Sequence, residues 1–69
     1  MNDQQAMQPH QQRVIDELTE LDEKIEKLSD FIGGAIYKGL DETDRVLLAM
    51  QLSVMKAYSE ILHKRINRF

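Results

Sequence analysis

The amino-acid sequence predicts an all-α protein, an antiparallel two-helix hairpin that assembles into a helical homo-oligomer. Apolar residues recur at heptad spacing in two long stretches, and a pair of glycines separates the two stretches. The chain has 69 residues and no cysteine, so it contains neither a disulfide nor a thiolate metal site. Because one chain of this size buries little apolar surface, we expect self-association to supply the missing stability.

The first predicted helix covers residues 9–32 and follows a polar, glutamine-rich segment, residues 1–8, which we interpret as a loose N-terminal arm. Pro9 suits the first turn of a helix, where its missing N–H is not needed. One face carries apolar residues every three or four positions, namely Val14, Leu18, Leu21, Ile25, Leu28 and Ile32. Gly33 and Gly34 end this helix in our prediction, because glycine accepts the left-handed conformation found at helix ends.

The second predicted helix covers residues 42–67 and follows a connector, residues 33–41. Asp41 is the expected N-cap, and Glu42 and Asp44 add negative charge to the first turn, where the helix dipole favours it. Two helices of similar length joined by a short connector predict an antiparallel hairpin. Residues 9–69 would then form a single domain.

The second helix carries two apolar seams that lie roughly 100° apart around its axis. The first seam consists of Leu48, Leu52, Met55, Leu62, Ile66 and Phe69. It is interrupted only at Ser59. The second seam consists of Leu47, Met50, Val54, Ala57 and Ile61, flanked by Tyr58, which we predict to be a core residue. The first helix can cover only one seam, and large exposed apolar patches are rare on soluble monomers. The other seam must therefore meet another copy or another protein.

Charge is distributed unevenly between the two helices. Residues 14–32 carry seven acidic groups and two lysines, whereas Glu60 is the only acidic residue after Lys56. An antiparallel hairpin gathers six basic residues into a cationic tip, which consists of His10, Arg13, His63, Lys64, Arg65 and Arg68. Such a tip can bind phosphate groups through arginine. Alternatively, the basic residues only complement the dipole of the second helix, and the acidic stretch is a solvated face.

Several classes of function are disfavoured by the sequence. The net charge of −3 argues against binding along duplex nucleic acid. The longest apolar run, residues 46–50, is far shorter than a membrane span, and no signal peptide is evident, so we expect a cytoplasmic protein without a membrane partner. Two distant histidines predict no metal site, and no nucleophile, phosphate loop or cofactor motif accompanies them. We therefore expect no enzyme and no cofactor.

Two parts of the sequence resemble a known family. The runs at residues 12–17, 20–28 and 31–32 are similar to small phage proteins of the anti-CBASS and Thoeris anti-defence helical-hairpin family. The second half agrees with the same family through Leu48, Gln51, Leu52, Met55, Tyr58, Ile61, Leu62, Arg65 and Ile66. The resemblance covers about residues 8–69. It implies a non-enzymatic sponge, a compact hexamer that sequesters cyclic nucleotide second messengers in the infected bacterial host cell.

The resemblance also implies which residues bind the ligand. Family members have one kind of pocket between paired protomers, for cyclic dinucleotides, and another near a three-fold arrangement, for cyclic trinucleotides. Lys24 matches a helix-1 lysine that contacts phosphate. The family also uses an N-terminal tyrosine for stacking, which this chain lacks, and His10 is the nearest residue that could replace it. Arg65 and Arg68 are compatible with the trinucleotide pocket. The full set of candidate ligand-binding residues is Arg65, Arg68, Lys64, His10, Arg13, Lys24 and Tyr37, the last as an open stacking platform in the connector.

Two other functions remain open from the sequence. A structural or adaptor hairpin would dock its spare seam on a host or virion protein. A nucleic-acid-binding hairpin is disfavoured by the acidic first helix.

Overall fold

The computed structural model describes residues 7–69 and contains three helices, with no strand in that range. Helix α1 spans Pro9–Ile32, α2 spans Ala35–Lys38 and α3 spans Glu42–Ile66. The two long helices pack against each other in antiparallel directions, which confirms the all-α hairpin within one chain. Residues 1–6 of the predicted N-terminal arm lie outside the described residues. The chain is elongated, with extents of 55 × 16 × 14 Å.

Helix α1 begins and ends through local backbone contacts. Pro9 occupies the first helical position, and the Gln8 N–H donates a hydrogen bond to Gln11 Oε1 at 3.0 Å. At the other end Gly33 adopts φ −77° and ψ −5°, which is right-handed, so the predicted left-handed glycine is wrong here. The helix ends because Gly34 turns to an extended conformation, with φ −98° and ψ 175°.

The connector is more ordered than the sequence predicted, because residues 35–38 form the helical turn α2. The Tyr37 hydroxyl donates a hydrogen bond to the Arg45 carbonyl oxygen at 2.9 Å. The Tyr37 ring also lies edge-on to Phe31, with centroids 6.5 Å apart. Asp41 accepts a hydrogen bond from the Thr43 N–H at 3.0 Å, which confirms Asp41 as the N-cap of α3.

The core lies between α1 and the first seam of α3. Leu62 is fully buried, and Val14 and Leu21 are nearly so. Four half-buried residues pack around them, Leu18, Ile25, Met55 and Ile66. Phe69 was predicted to extend this seam, but its side chain is 47% exposed. α3 ends at Ile66, so Phe69 lies three residues beyond the helix and does not continue its seam.

The second seam of α3 is open in the single chain, as the sequence predicted. Val54 is 68% exposed, and Leu47, Met50 and Ile61 are each more than half exposed. Tyr58 is 40% exposed, so the single chain does not place it in the core between α1 and α3. The hydroxyl-bearing ring lies at the edge of the second seam, on the side of α3 that α1 does not cover. A large apolar surface thus remains without a partner in one chain.

Candidate ligand-binding site

The register of the hairpin is visible in one hydrogen bond between the long helices. Ser59 Oγ on α3 donates to Asp22 Oδ1 on α1 at 2.9 Å. Arg13 precedes Asp22 by nine residues, and Arg68 follows Ser59 by nine residues. Because the helices are antiparallel, Arg13 and Arg68 lie at about the same height. The hairpin therefore brings the basic residues of both helices to one end.

The basic side chains at this end are exposed to solvent. The exposed members of the tip are His10, Arg13, Lys64, Arg65 and Arg68. The backbone continues past α3 as a tight turn, in which the Arg68 N–H donates to the Arg65 carbonyl at 3.1 Å. This turn keeps Arg68 close to the helix end. Exposed guanidinium groups in such a cluster can bind phosphate oxygens, and they also complement the negative end of the helix dipole.

His63, the remaining member of the cationic tip, is tied to its own helix. Its Nδ1 lies 2.9 Å from the Ser59 carbonyl oxygen and 3.5 Å from Ser59 Oγ. The neutral ring with hydrogen on Nδ1, or the protonated ring, donates to that carbonyl. Ser59, Asp22 and His63 thus form a polar cluster that the sequence analysis missed. The break in the first seam at Ser59 was the signal for it.

Lys24 and Tyr37 lie away from the cationic tip within one chain. Lys24 is exposed on α1, and it follows Arg13 by eleven residues, which corresponds to about 16 Å along the helix. Tyr37 lies in α2, at the opposite end of the hairpin. Its ring is half-buried and its hydroxyl is hydrogen-bonded, so it is not the open stacking platform that the sequence predicted. Neither candidate therefore lies at the cationic tip of its own chain.

Within residues 7–69, a single chain encloses no cavity. The same residues contain no group of three or more histidine, aspartate or glutamate side chains arranged to hold a metal ion. None of the three described helices is long and apolar enough to cross a lipid bilayer.

Comparison with known proteins assigns the family. The family model described as Sequestin matches residues 8–68. The chain belongs to the Sequestin family. Similarity also extends to an uncharacterized 7.5 kDa protein from the denB-rIIB intergenic region of Enterobacteria phage T4, which is 38% identical over 63 residues. That alignment covers 91% of this chain and 98% of the phage protein. No solved structure matches the chain.

The Sequestin match includes all three helices, the open second seam and the whole cationic tip. The similarity to small phage proteins is therefore supported by the phage T4 relative, and the expected sequestering role agrees with the family name. Neither comparison names a sequestered ligand. The narrower assignment to anti-CBASS and Thoeris anti-defence proteins stays a prediction.

Proposed function

We propose that this Sequestin-family chain is a non-enzymatic phage anti-defence sponge. It binds cyclic di- or trinucleotide second messengers of bacterial immune systems such as CBASS in the cytoplasm of the infected cell. By holding these messengers without converting them, it prevents activation of the downstream effector. The single observation that carries the proposal is the cationic tip, which lies within the matched family region.

The chemistry of the tip suits a cyclic oligonucleotide. Each phosphodiester carries one negative charge, and a guanidinium group offers paired N–H donors to phosphate oxygens. Arg13 and Arg68 approach the same height from different helices, and Lys64 and Arg65 add exposed positive charge beside them. Binding along duplex nucleic acid fits less well, because α1 carries seven acidic groups over residues 14–32.

The open second seam supports the homo-oligomer that a sponge requires. We propose that a second copy of the chain covers it. Residues 47, 54 and 61 repeat at seven-residue spacing, and residues 50 and 57 complete the heptad pattern of a helix–helix interface. The pattern is centred on Val54, the most exposed large apolar residue of α3.

Charge complementarity selects an antiparallel arrangement of two α3 helices. Asp44 and Lys64 are each ten residues from Val54. With Val54 at a two-fold axis, the acidic first turn of one α3 lies level with the basic last turns of the other. A parallel pair would place acid beside acid and base beside base, which is unfavourable. Further association of such pairs gives the hexamer that the family resemblance implies, with pockets between copies that the tips and Lys24 can line.

Calorimetric titration tests the proposal directly. The full chain is titrated with a panel of cyclic di- and trinucleotides, with linear dinucleotides as matched controls. We expect tight binding of at least one cyclic ligand and its recovery intact after denaturation of the protein. Binding weaker than about 10 μM to the whole panel would contradict the proposal, because a sponge must compete with the effector.

The adaptor hairpin is the alternative that a specific observation favours. Ile36 in α2 is 70% exposed, so the connector adds an exposed apolar side chain to those of the second seam. An adaptor would use this surface to dock on a host or virion protein. Light scattering coupled to size-exclusion chromatography separates the two functions, since the adaptor predicts a monomer or dimer and the sponge predicts a closed hexamer.

A further inference from the structure

The hydrogen bond between Ser59 and Asp22 stands out from the other contacts of the hairpin. Within residues 7–69 it is the only hydrogen bond between a side chain of α1 and a side chain of α3. Ser59 is only 9% exposed, and it occupies a position of the first seam between Met55 and Leu62. An apolar residue at this position would add to the core. The chain instead places a hydroxyl group there.

A polar residue in an apolar seam can determine the alignment of two helices. Apolar side chains at heptad spacing pack almost equally well after one helix slips along the other, whereas a hydrogen bond forms at one alignment only. The Ser59 hydroxyl reaches a carboxylate on α1, and the Ser59 carbonyl accepts from His63 on α3. The cluster is therefore anchored to both helices.

The connector makes few polar contacts that could fix the alignment of α1 with α3. Through Tyr37 and Arg45, α2 is hydrogen-bonded to the start of α3. Its junction with α1 consists of Gly33 and Gly34, which carry no side chain to restrict the backbone. α2 also packs against α1, where the Tyr37 ring meets Phe31 edge-on. Within residues 7–69 no side-chain hydrogen bond joins the connector to α1, so a polar contact that fixes the height of α1 has to come from the long helices.

We propose that Ser59 and Asp22 set the register of the hairpin and are positioning residues for the cationic tip. Their hydrogen bond holds Arg13 level with Arg68, so that both guanidinium groups reach one phosphate. A slip by one helical turn moves them apart by about 5.4 Å, more than the width of a phosphate group. The positioning role rests on the proposed function, whereas the register role does not.

Distance measurement between spin labels tests the register. Because the chain has no cysteine, Glu23→Cys on α1 and Lys56→Cys on α3 give two unique labelling sites, both exposed. Labelled protein is diluted with unlabelled protein, so that distances within one chain dominate. We expect one narrow distance in this background. Ser59→Ala and Asp22→Ala should broaden it or shift it by about 5 Å, which corresponds to one turn.

Asp22→Asn is the matched control, because it keeps an acceptor oxygen for the Ser59 hydroxyl and should keep the narrow distance. Asp22 is exposed, so its replacement by alanine leaves the core intact even if Ser59→Ala unfolds the chain. If the bond only adds stability, its removal would lower the melting temperature and leave the distance between the labels unchanged. An unchanged distance in Asp22→Ala would overturn the register role.

Ligand titration with the same variants, without the labels, tests the positioning role. We expect Ser59→Ala and Asp22→Ala to weaken binding of a cyclic oligonucleotide about ten-fold. A shift in register takes one guanidinium group away from the phosphate, and one charge-assisted hydrogen bond to the ligand is then lost. Asp22→Asn should bind at least as tightly as the unmodified chain. Equal affinity in all three variants would overturn the positioning role. If the unmodified chain binds no ligand, the proposed function fails. The distances between the spin labels still test whether Ser59 and Asp22 set the register.

Discussion

The hydroxyl of Tyr37 donates a hydrogen bond to the carbonyl oxygen of Arg45, eight residues further along the chain, at 2.9 Å. This bond fastens the helical turn α2 to the first turn of α3. It also occupies the polar end of a side chain that, on sequence grounds alone, is a candidate for stacking on a base. Tyr37 is therefore part of the connector's own packing.

Replacement of Tyr37 by phenylalanine removes only this hydroxyl. We expect Tyr37→Phe to lower the free energy of unfolding by about 0.5–1.5 kcal/mol, because a half-buried hydrogen bond is lost. Urea denaturation followed by circular dichroism measures the change. Tyr58→Phe is the matched control, since the Tyr58 hydroxyl has no hydrogen-bond partner among residues 7–69. Equal losses in the two variants would mean that the bond to Arg45 contributes nothing.

Among residues 7–69, Leu62 is the one fully buried side chain of the core. Truncation in Leu62→Ala removes apolar contacts with α1 and leaves a cavity, so we expect a loss of about 2–5 kcal/mol in the free energy of unfolding. Thermal and urea denaturation measure it. Ile36→Ala serves as the control, because Ile36 is 70% exposed in one chain. A small effect at Leu62 would show that the core lies elsewhere in the assembly.

Val54 lies at the centre of the second seam. In an antiparallel pair of α3 helices, Val54→Glu would bring two carboxylates together at the two-fold axis, and we expect the oligomer to dissociate while each chain stays helical. Light scattering gives the mass, and circular dichroism gives the helix content. Ala49→Glu adds the same charge at an exposed position of α3 outside both seams and should leave the mass unchanged. An intact oligomer in Val54→Glu would place the interface on another surface.

Arg65 and Arg68 carry the phosphate contacts in the proposed sponge. We expect Arg65→Ala and Arg68→Ala each to weaken ligand binding by about 1.5–3 kcal/mol, the usual contribution of a charge-assisted hydrogen bond, without changing the oligomer. Calorimetric titration measures the affinity. Lys27→Ala, which removes an exposed positive charge from α1, is the control. Unchanged affinity in both arginine variants would move the site toward Lys24 and the connector.

Much of this fold could be predicted from the sequence because its signals are local. The heptad spacing defines both long helices, and Asp41 identifies the start of the second. The excess of apolar residues on α3 predicts that α1 covers only one of its two seams, and the second seam is exposed in the single chain. The basic residues of the tip are equally visible in the sequence, although their role as a binding site stays a prediction.

The tertiary structure alone decided which side chains meet across the hairpin. Periodicity shows that Ser59 interrupts a seam, but it does not show that Asp22, 37 residues earlier, accepts its hydrogen bond. Likewise, the sequence suggested that Tyr37 is open and Tyr58 is buried, whereas in one chain Tyr37 is half-buried and hydrogen-bonded and Tyr58 is exposed. Helix formation depends on neighbours within one or two turns, whereas these contacts depend on the relative height and rotation of two helices. A repeating apolar pattern leaves that alignment undetermined, because several alignments bury similar surface.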